Sequence, residues 1–317
     1  VTTGEIASEG IAWSQFAARA KGIRIICLGL SALDQIWQVE QPFAGGSEKI
    51  KATEYTTAGG GMAANAAVSV ARLGGAAAFW GRAGEDAAGH EMRTALSREG
   101  IDLRNFRLFP DGRSSVSGVI VDASGERQIV NFRGRFPTDA DWLPLDEVAD
   151  TAAVLADPRW VEGAVALFSK ARRLGIPTVL DADMADRDVF EQLLPLTDHA
   201  VFSEPALKNY AGSAGDDSLE RITHFGCRVV AATRGRDGVS WYQDGTLQSR
   251  SAFPVAAIDT SGAGDVFHGA YALAIGGGLA VRDAMTFASA AAALKCTRAG
   301  GRAAIPFIDD CLAFMRT

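Results

Sequence analysis

The 317-residue sequence is poor in the features that would staple a chain, anchor it in a membrane or bind it to nucleic acid. Its four cysteines, Cys27, Cys227, Cys296 and Cys311, lie far apart. None forms a Cys-x-x-Cys pair, which leaves no zinc pattern and no redox dithiol. Cys27 and Cys227 sit in apolar runs and read as small core residues, a usage that fits a reducing cytoplasm. No apolar run reaches about 18 residues, so no membrane-spanning helix is expected. The first 22 residues lack a charged start followed by an apolar core, so no secretion leader is expected. Basic residues do not predominate: 31 Lys and Arg against 38 Asp and Glu give a formal net charge of -7. A nucleic-acid protein would show a basic surface. A small anionic ligand remains compatible, because a few local cations can hold one.

Glycine, by contrast, is abundant, with 35 residues in clusters. Clustered glycine points to tight turns and to close approach of backbone to a ligand. A chain that is 48% hydrophobic and 22% charged can build its own core without disulfide or metal.

Arg24–Leu30 is an apolar run that reads as a buried strand. Residues 1–22 before it read as an arm, helical or loose. Residues 34–58 read as strand, turn at Pro42–Gly46, and strand. Gly59-Gly60-Gly61 then leads into a helix over Met62–Leu73, closed by Gly74-Gly75. Ala76–Trp80 is expected as a strand and Ala87–Glu99 as a helix. Ser115–Val121 and Arg127–Phe132 flank Asp122-Ala-Ser-Gly125 as a hairpin. Beyond it, strands are expected at 152–156, 176–180, 199–202, 228–233 and 239–242, with a helix over 162–174. Two helices, about 263–276 and 282–297, are expected to close the chain, the second with a stripe of Phe287, Ala291 and Leu294. Strands alternating with helices imply an α/β fold with a mostly parallel sheet covered on both faces. The early β-rich stretches, about 34–58 and 112–135, have no helix to cover them and read as a small separate sheet, a lid.

The chemistry concentrates in Asp259-Thr-Ser-Gly-Ala-Gly-Asp-Val-Phe-His-Gly269. A strand ending near Ile258, a loop of small residues and a helix starting near Gly264 would place unsatisfied backbone N–H groups at a helix start. The positive end of the helix dipole lies there too, so the loop is suited to cradle a phosphate. Asp265 at its mouth can accept the proton of an attacking hydroxyl. The bland alternative is that Asp265 only caps a helix, but the length of the run favours the cradle.

This run resembles the C-terminal signature of the ribokinase-like (PfkB) carbohydrate kinases, Asp-Thr-x-Gly-Ala-Gly-Asp-x-Phe, at every defined position. Gly59-Gly-Gly-Met-Ala-Ala-Asn65 with Gly74, and Gly81-Arg-Ala-Gly-Glu-Asp-Ala-Ala-Gly89, resemble its N-terminal signature. The resemblance covers nearly all of residues 23–310. It implies a ribokinase-like domain over 23–317 after the arm, acting on a sugar with ATP and Mg2+. It implies that Asp265 is the base and that Gly262, Ala263 and Gly264 stabilise the transferred phosphoryl group. It assigns Asp34, Gly60, Gly61 and Asn65 to the sugar, and Thr233, Gly235 and Gly238 of Thr233-Arg-Gly-Arg-Asp-Gly238, with Gly262 and Gly264, to ATP. Many members carry Asn-x-x-Glu where this chain has Ser203-Glu-Pro-Ala206. The Asn and the final Glu are missing, so Asp183 and Glu204 become the candidates for magnesium through water. In related kinases a monovalent cation sits near the equivalents of Asp259, Ser261 and Gly300, and the sequence leaves that requirement open.

Val154–Trp160, Thr197–Pro205 and Ala293–Arg302 also look like the bacterial 6-deoxy-6-sulfofructose kinases, which act on the 1-hydroxyl of a ketose with a sulfonate at carbon 6. That resemblance assigns Lys49, Asn131 and Arg159 to the sulfonate, and a desolvated sulfonate would need charge-assisted donors. The alternative leaves Lys49 and Arg159 as solvated surface ions, with fructose or another small sugar as substrate. Phe136 and Trp160 could line the sugar pocket or the core. A nucleoside kinase would need an aromatic slot, which is not identifiable, and a sugar sensor would have no use for a base. Lid strands with exposed edges suggest a homodimer through the lid.

Overall fold

The computed structural model describes residues 13–41 and 49–316. In chain order the elements are α1 (Trp13–Ala20), β1 (Arg24–Gly29), β2 (Ala32–Val39), β3 (Ala52–Gly60), α2 (Met62–Arg72), β4 (Ala76–Gly84), α3 (Ala87–Arg98), β5 (Phe106–Phe109), β6 (Ser115–Val121) and β7 (Arg127–Phe132). They continue as β8 (Ala153–Ala156), α4 (Val161–Leu174), β9 (Thr178–Ala182), α5 (Arg187–Leu193), β10 (His199–Ser203), α6 (Glu204–Ala211), α7 (Asp216–Ile222), β11 (Val229–Thr233), β12 (Val239–Gln243) and β13 (Thr246–Arg250). The chain ends with α8 (Ala263–Gly276), α9 (Val281–Cys296) and α10 (Ile308–Phe314).

Nine strands form one sheet in the order β13-β12-β11-β10-β9-β8-β1-β4-β5. The pairs from β11 to β5 are parallel, and β12 and β13 add antiparallel edges. The period-two pattern of β1 splits the core. Ile25 and Cys27 point to one buried cluster with α2, α8 and α9. Ile26 and Leu28 point to another, with α4, α5, α6 and α7. Helices on both faces explain why the strands read as continuous apolar runs.

A second sheet, β3-β2-β6-β7, stands apart as the lid. This is the ribokinase-like α/β fold that the sequence implies. Of the expected arm, Trp13–Ala20 is a helix whose Phe16 is buried against Phe287. Residues 1–12 of the arm and the turn at 42–46 lie outside the described residues.

Three expectations fail. No strand leads to Ile258, because residues 251–259 are irregular. Pro254 cannot donate to a ladder, and the N–H groups of Ile258 and Asp259 both go to the Cys296 carbonyl (2.8 and 3.2 Å). The expected pair of closing helices is followed by α10. Short elements, among them β5, β13 and α5 to α7, were not anticipated.

Candidate active site

Between lid and main sheet lies a cavity of about 1220 Å³. Strand periodicity decides what the lid presents to it. Residues i and i+2 share a face, so Asp34, Ile36 and Gln38 of β2, Ser117, Val119 and Val121 of β6, and Arg127, Ile129 and Asn131 of β7 all line the cavity. Registry sorts them into cross-strand rows. Asp34 pairs with Ser117 and Ser117 with Asn131, an all-polar row in which Asn131 Nδ2 donates to Ser117 Oγ (3.1 Å). Ile36, Val119 and Ile129 form an apolar row beside it, and Gln38, Val121 and Arg127 the outermost. A hydroxylated ring with an apolar edge fits such a floor. Asp34 lies within β2, the strand that follows β1.

The Gly59-Gly60-Gly61 run is there because three groups crowd it. A side chain on Gly60 would meet the Asp34 carboxylate at 2.6 Å, and one on Gly59 would meet Arg302 Nη1 at 2.1 Å. Gly61 starts α2 at φ +94, against the Leu30 carbonyl. One turn into α2, Asn65 Nδ2 donates to Asp265 Oδ2 (2.7 Å). Arg302 donates from Nε to Asn65 Oδ1 (2.9 Å) and from Nη2 to Gly60 O (2.8 Å). Its Nη1 is buried without a partner. Arg302 is thus a buried cation under the cavity floor, and burial lowers its pKa to about 10.

Asp265 opens α8 after Gly262, which caps the helix with φ +73. Gly262 and Asp265 line the cavity, and the space beside Gly264 is open. Of the first-turn donors, Ala263 N–H turns back to Thr260 O (3.2 Å), so the cradle rests on its glycines more than on Ala263. Burial raises the Asp265 pKa to about 6; Asn65 and Arg302 oppose the rise, while Asp157 and Asp183 add to it.

Two buried carboxylates that sequence reasoning missed lie near Asp265. Asp157, at the end of β8, accepts from Leu30 N (2.7 Å), Ala63 N (3.1 Å) and Arg159 N (2.8 Å). It joins β1, α2 and the segment after β8, and burial pushes its pKa upward against those bonds. Burial pushes the Asp181 pKa well above the ordinary carboxylate range, and the neighbouring charges of Asp265 and Asp183 add to the rise. His268, one turn into α8, sits 3.4 Å from Asp181 Oδ1. Asp157 follows an apolar strand in Asp157-Pro158, the one local signal that could have marked it.

The other expected residues divide. Arg159 lines the cavity, with Nη1 donating to Met184 O (2.7 Å) and Nη2 3.7 Å from Asp183. Asp183 also lines it and accepts from Ser203 Oγ (3.1 Å). Glu204 does not join them. It is not on the cavity wall, and its carboxylate pairs with Arg234 (2.9 Å). Lys49 is exposed and is not on the cavity wall. Thr233 ends β11, and Gly235 and Gly238 form the turn into β12 at φ +56 and +97. Gly238 has a packing reason as well, since a side chain there would strike the Arg250 carbonyl at 2.0 Å. Phe136 is on the cavity wall. Trp160 is core: it is buried, stacks on Trp142 and donates to Thr138 O (2.7 Å). No group of three or more His, Cys, Asp or Glu suited to a metal ion occurs among the described residues.

A half-buried carboxylate at a glycine-rich helix start, facing a polar row of the lid on this fold, fits an ATP-dependent sugar kinase. Comparison with known proteins supplies the family. The profile of the pfkB family carbohydrate kinases matches residues 23–308, and the chain belongs to that family. A fructokinase of Klebsiella pneumoniae is 34% identical over 278 residues, covering 79% of this chain and 90% of its own. A ribokinase of Haemophilus influenzae is 28% identical, covering 84% and 90%. A crystal structure from Agrobacterium tumefaciens, provisionally assigned as a ribokinase, has a TM-score of 0.88 at 37% identity, covering 93% and 98%.

Proposed function

We propose that this kinase phosphorylates the 1-hydroxyl of 6-deoxy-6-sulfofructose. The observation that carries the reading is Arg159 on the cavity wall, its guanidinium held by Met184 O, with Asn131 in the polar row of the lid on the same cavity. A planar guanidinium suits an oxyanion such as a sulfonate. Lys49 belongs to the reading only if the lid moves toward the core on binding, as lids do.

In this reading Asp34, Gly60, Gly61 and Asn65 hold the sugar hydroxyls. Asn65 occupies one oxygen of Asp265, which leaves the other to accept the proton of the attacking 1-hydroxyl. Gly262 and Gly264 then stabilise charge on the phosphoryl group through backbone dipoles that need no reorganisation. Thr233, Gly235 and Gly238 flank the nucleotide. Magnesium, when bound, neutralises the phosphates. Of the two carboxylates expected for it, Asp183 lines the cavity and Glu204 does not, so the nucleotide itself would hold most of its shell. We also propose a homodimer through the lid. Ile129, Val130 and Phe132 are exposed on the edge strand β7, and such an edge is covered in most proteins. No helix among the described residues is long and apolar enough to cross a membrane, and a cytoplasmic site suits the ATP requirement.

A second reading, fructose as substrate, is favoured by the 34% identity to a fructokinase. The two are separated by ATP consumption on 6-deoxy-6-sulfofructose and on fructose under identical conditions. A large preference for the sulfosugar supports the first reading, and turnover of fructose alone rejects it.

A further inference from the structure

We infer that Lys295 takes the place of a monovalent cation beside the phosphate cradle, so that this kinase needs no potassium or ammonium ion from the medium. The family resemblance put such an ion near Asp259, Ser261 and Gly300. The donor set there does not fit one. A carboxylate offers about four lone-pair positions, and four donors already face Asp259. Oδ1 accepts from Ser261 N (3.0 Å) and Arg127 Nη2 (3.0 Å). Oδ2 accepts from Gly301 N (3.2 Å) and lies 3.4 Å from Lys295 Nζ. The Asp259 carbonyl, the kind of oxygen a potassium ion would use, accepts from Lys295 Nζ at 2.8 Å. Two full positive charges, from Lys295 and Arg127, therefore flank Asp259, and a metal ion added there would meet repulsion and few open oxygens.

Lys295 is built for this position. It lies in the last turn of α9 and is 0% exposed. A buried ammonium persists only when paired and hydrogen-bonded, and both oxygens near Nζ belong to Asp259. An ammonium group resembles potassium in charge and size, and it binds the same carbonyl and carboxylate oxygens. The next residue completes the clamp, since the Cys296 carbonyl takes the N–H groups of Ile258 and Asp259. The end of α9 thereby fixes the loop that runs into Gly262 and Gly264. A residue tethered to the fold organises that loop at all times, whereas an exchangeable ion would do so only when bound. Lys295 is a positioning residue: it acts on the cradle through Asp259.

The inference rests on the kinase assignment and not on which sugar is used, so its first test needs no sugar. The full chain is exchanged into tetramethylammonium chloride, and its thermal unfolding midpoint is measured as potassium, ammonium or sodium chloride replaces that salt at constant ionic strength. The wild type is expected to show the same midpoint in all four, and the same rate of ATP consumption with whichever sugar it uses. A midpoint or rate that rises severalfold or by several degrees with potassium alone overturns the inference. Lys295→Ala opens a pocket at the same oxygens. It is expected to unfold earlier and turn over more slowly, with both recovering in ammonium or potassium but not in tetramethylammonium. Loss that no small cation repairs, in a variant that still folds, would assign Lys295 a packing role and reject the inference. If Lys295→Ala does not fold, the wild-type ion series decides alone.

Discussion

Asn65 bridges Arg302 and Asp265: its Oδ1 accepts from Arg302 Nε at 2.9 Å and its Nδ2 donates to Asp265 Oδ2 at 2.7 Å. A guanidinium can only donate, so Arg302 dictates which end of the amide faces the base. The donated bond stabilises the ionised carboxylate. Asn65→Ala should therefore push the Asp265 pKa higher and move the acid limb of the pH–rate profile to higher pH. Loss of one charge-assisted bond, about 1.5–3 kcal/mol, corresponds to a pKa rise of roughly one to two units, which lowers the deprotonated fraction, and with it the rate, about twofold to fifteenfold at pH 7. A profile that keeps its wild-type limb would remove Asn65 from the control of the base.

The wild-type profile itself is predictable. Burial raises Asp265 to about 6, and a general base works only when deprotonated. Activity should rise as pH increases through about 6 and level off above it, with the limb assigned by its absence in Asp265 variants. A limb near 4 would mean that water or nucleotide enters and relieves the burial.

Asp265→Asn separates chemistry from binding and stability. Turnover should fall by about 10²–10⁴-fold, the usual worth of a general base, while sugar binding measured by calorimetry stays close to wild type. The stability effect has the opposite sign. The folded-state pKa lies above the ordinary 3.8, so the folded protein binds this proton more tightly than the unfolded chain. Stability is lost as pH rises from about 4 through 6. At pH 7 the buried charge costs on the order of 3 kcal/mol at most, from about two units at 1.4 kcal/mol each. Asn carries no such charge, so the variant should melt higher than wild type at pH 7, with the gap closing toward pH 4. Near-normal turnover would dismiss Asp265 as the base.

Gly59→Ala tests the floor under the sugar. A Cβ there would sit 2.1 Å from Arg302 Nη1, and Arg302 is pinned to Asn65 and Gly60. The guanidinium must shift, and Asn65 loses its orientation. The expectation is a melting point lowered by overpacking, on the order of 1–3 kcal/mol, together with a larger fall in kcat than in binding. Equal kcat and a normal melting curve would show that the Arg302 side chain gives way at no cost.

Much of this site is legible from the chain because its parts are local. The run Asp259–Gly269 carries loop, cap and the candidate base together, and alternation along β2, β6 and β7 sorts the lid residues by face. The hidden residues share a different trait. Asp157, Asp181, Lys295 and Arg302 acquire their roles only by meeting groups far away in sequence, as Arg302 meets Asn65 across 237 positions. Nothing in the neighbourhood of Lys295, inside an alanine-rich helix, announces a buried ammonium. Short elements such as the four-residue β5 carry too few residues for periodicity to register. The failed strand before Ile258 is the reverse case, an extended-looking segment whose N–H groups were claimed by α9.

Arg159 is the residue on which the proposed substrate can be tested. Its guanidinium sits on the cavity wall, held by Met184 O and 3.7 Å from Asp183. If it grips a sulfonate, Arg159→Ala strands a desolvated anion in the cavity, and the loss should be roughly 2–5 kcal/mol, about thirtyfold or more in kcat/KM for the sulfosugar. Fructose places a hydroxyl where the sulfonate would lie. A neutral group needs no guanidinium, so the same variant should change kcat/KM for fructose by less than about tenfold, the scale of one neutral hydrogen bond. The contrast between the two losses carries the information, because a general disturbance of Asp157 through the Arg159 backbone would depress both alike. Arg159→Lys keeps the charge and loses the planar fork, and it should recover part of the sulfosugar activity. Parallel losses on both sugars, unrepaired by lysine, would return Arg159 to the support of the wall and leave fructose as the better-supported substrate.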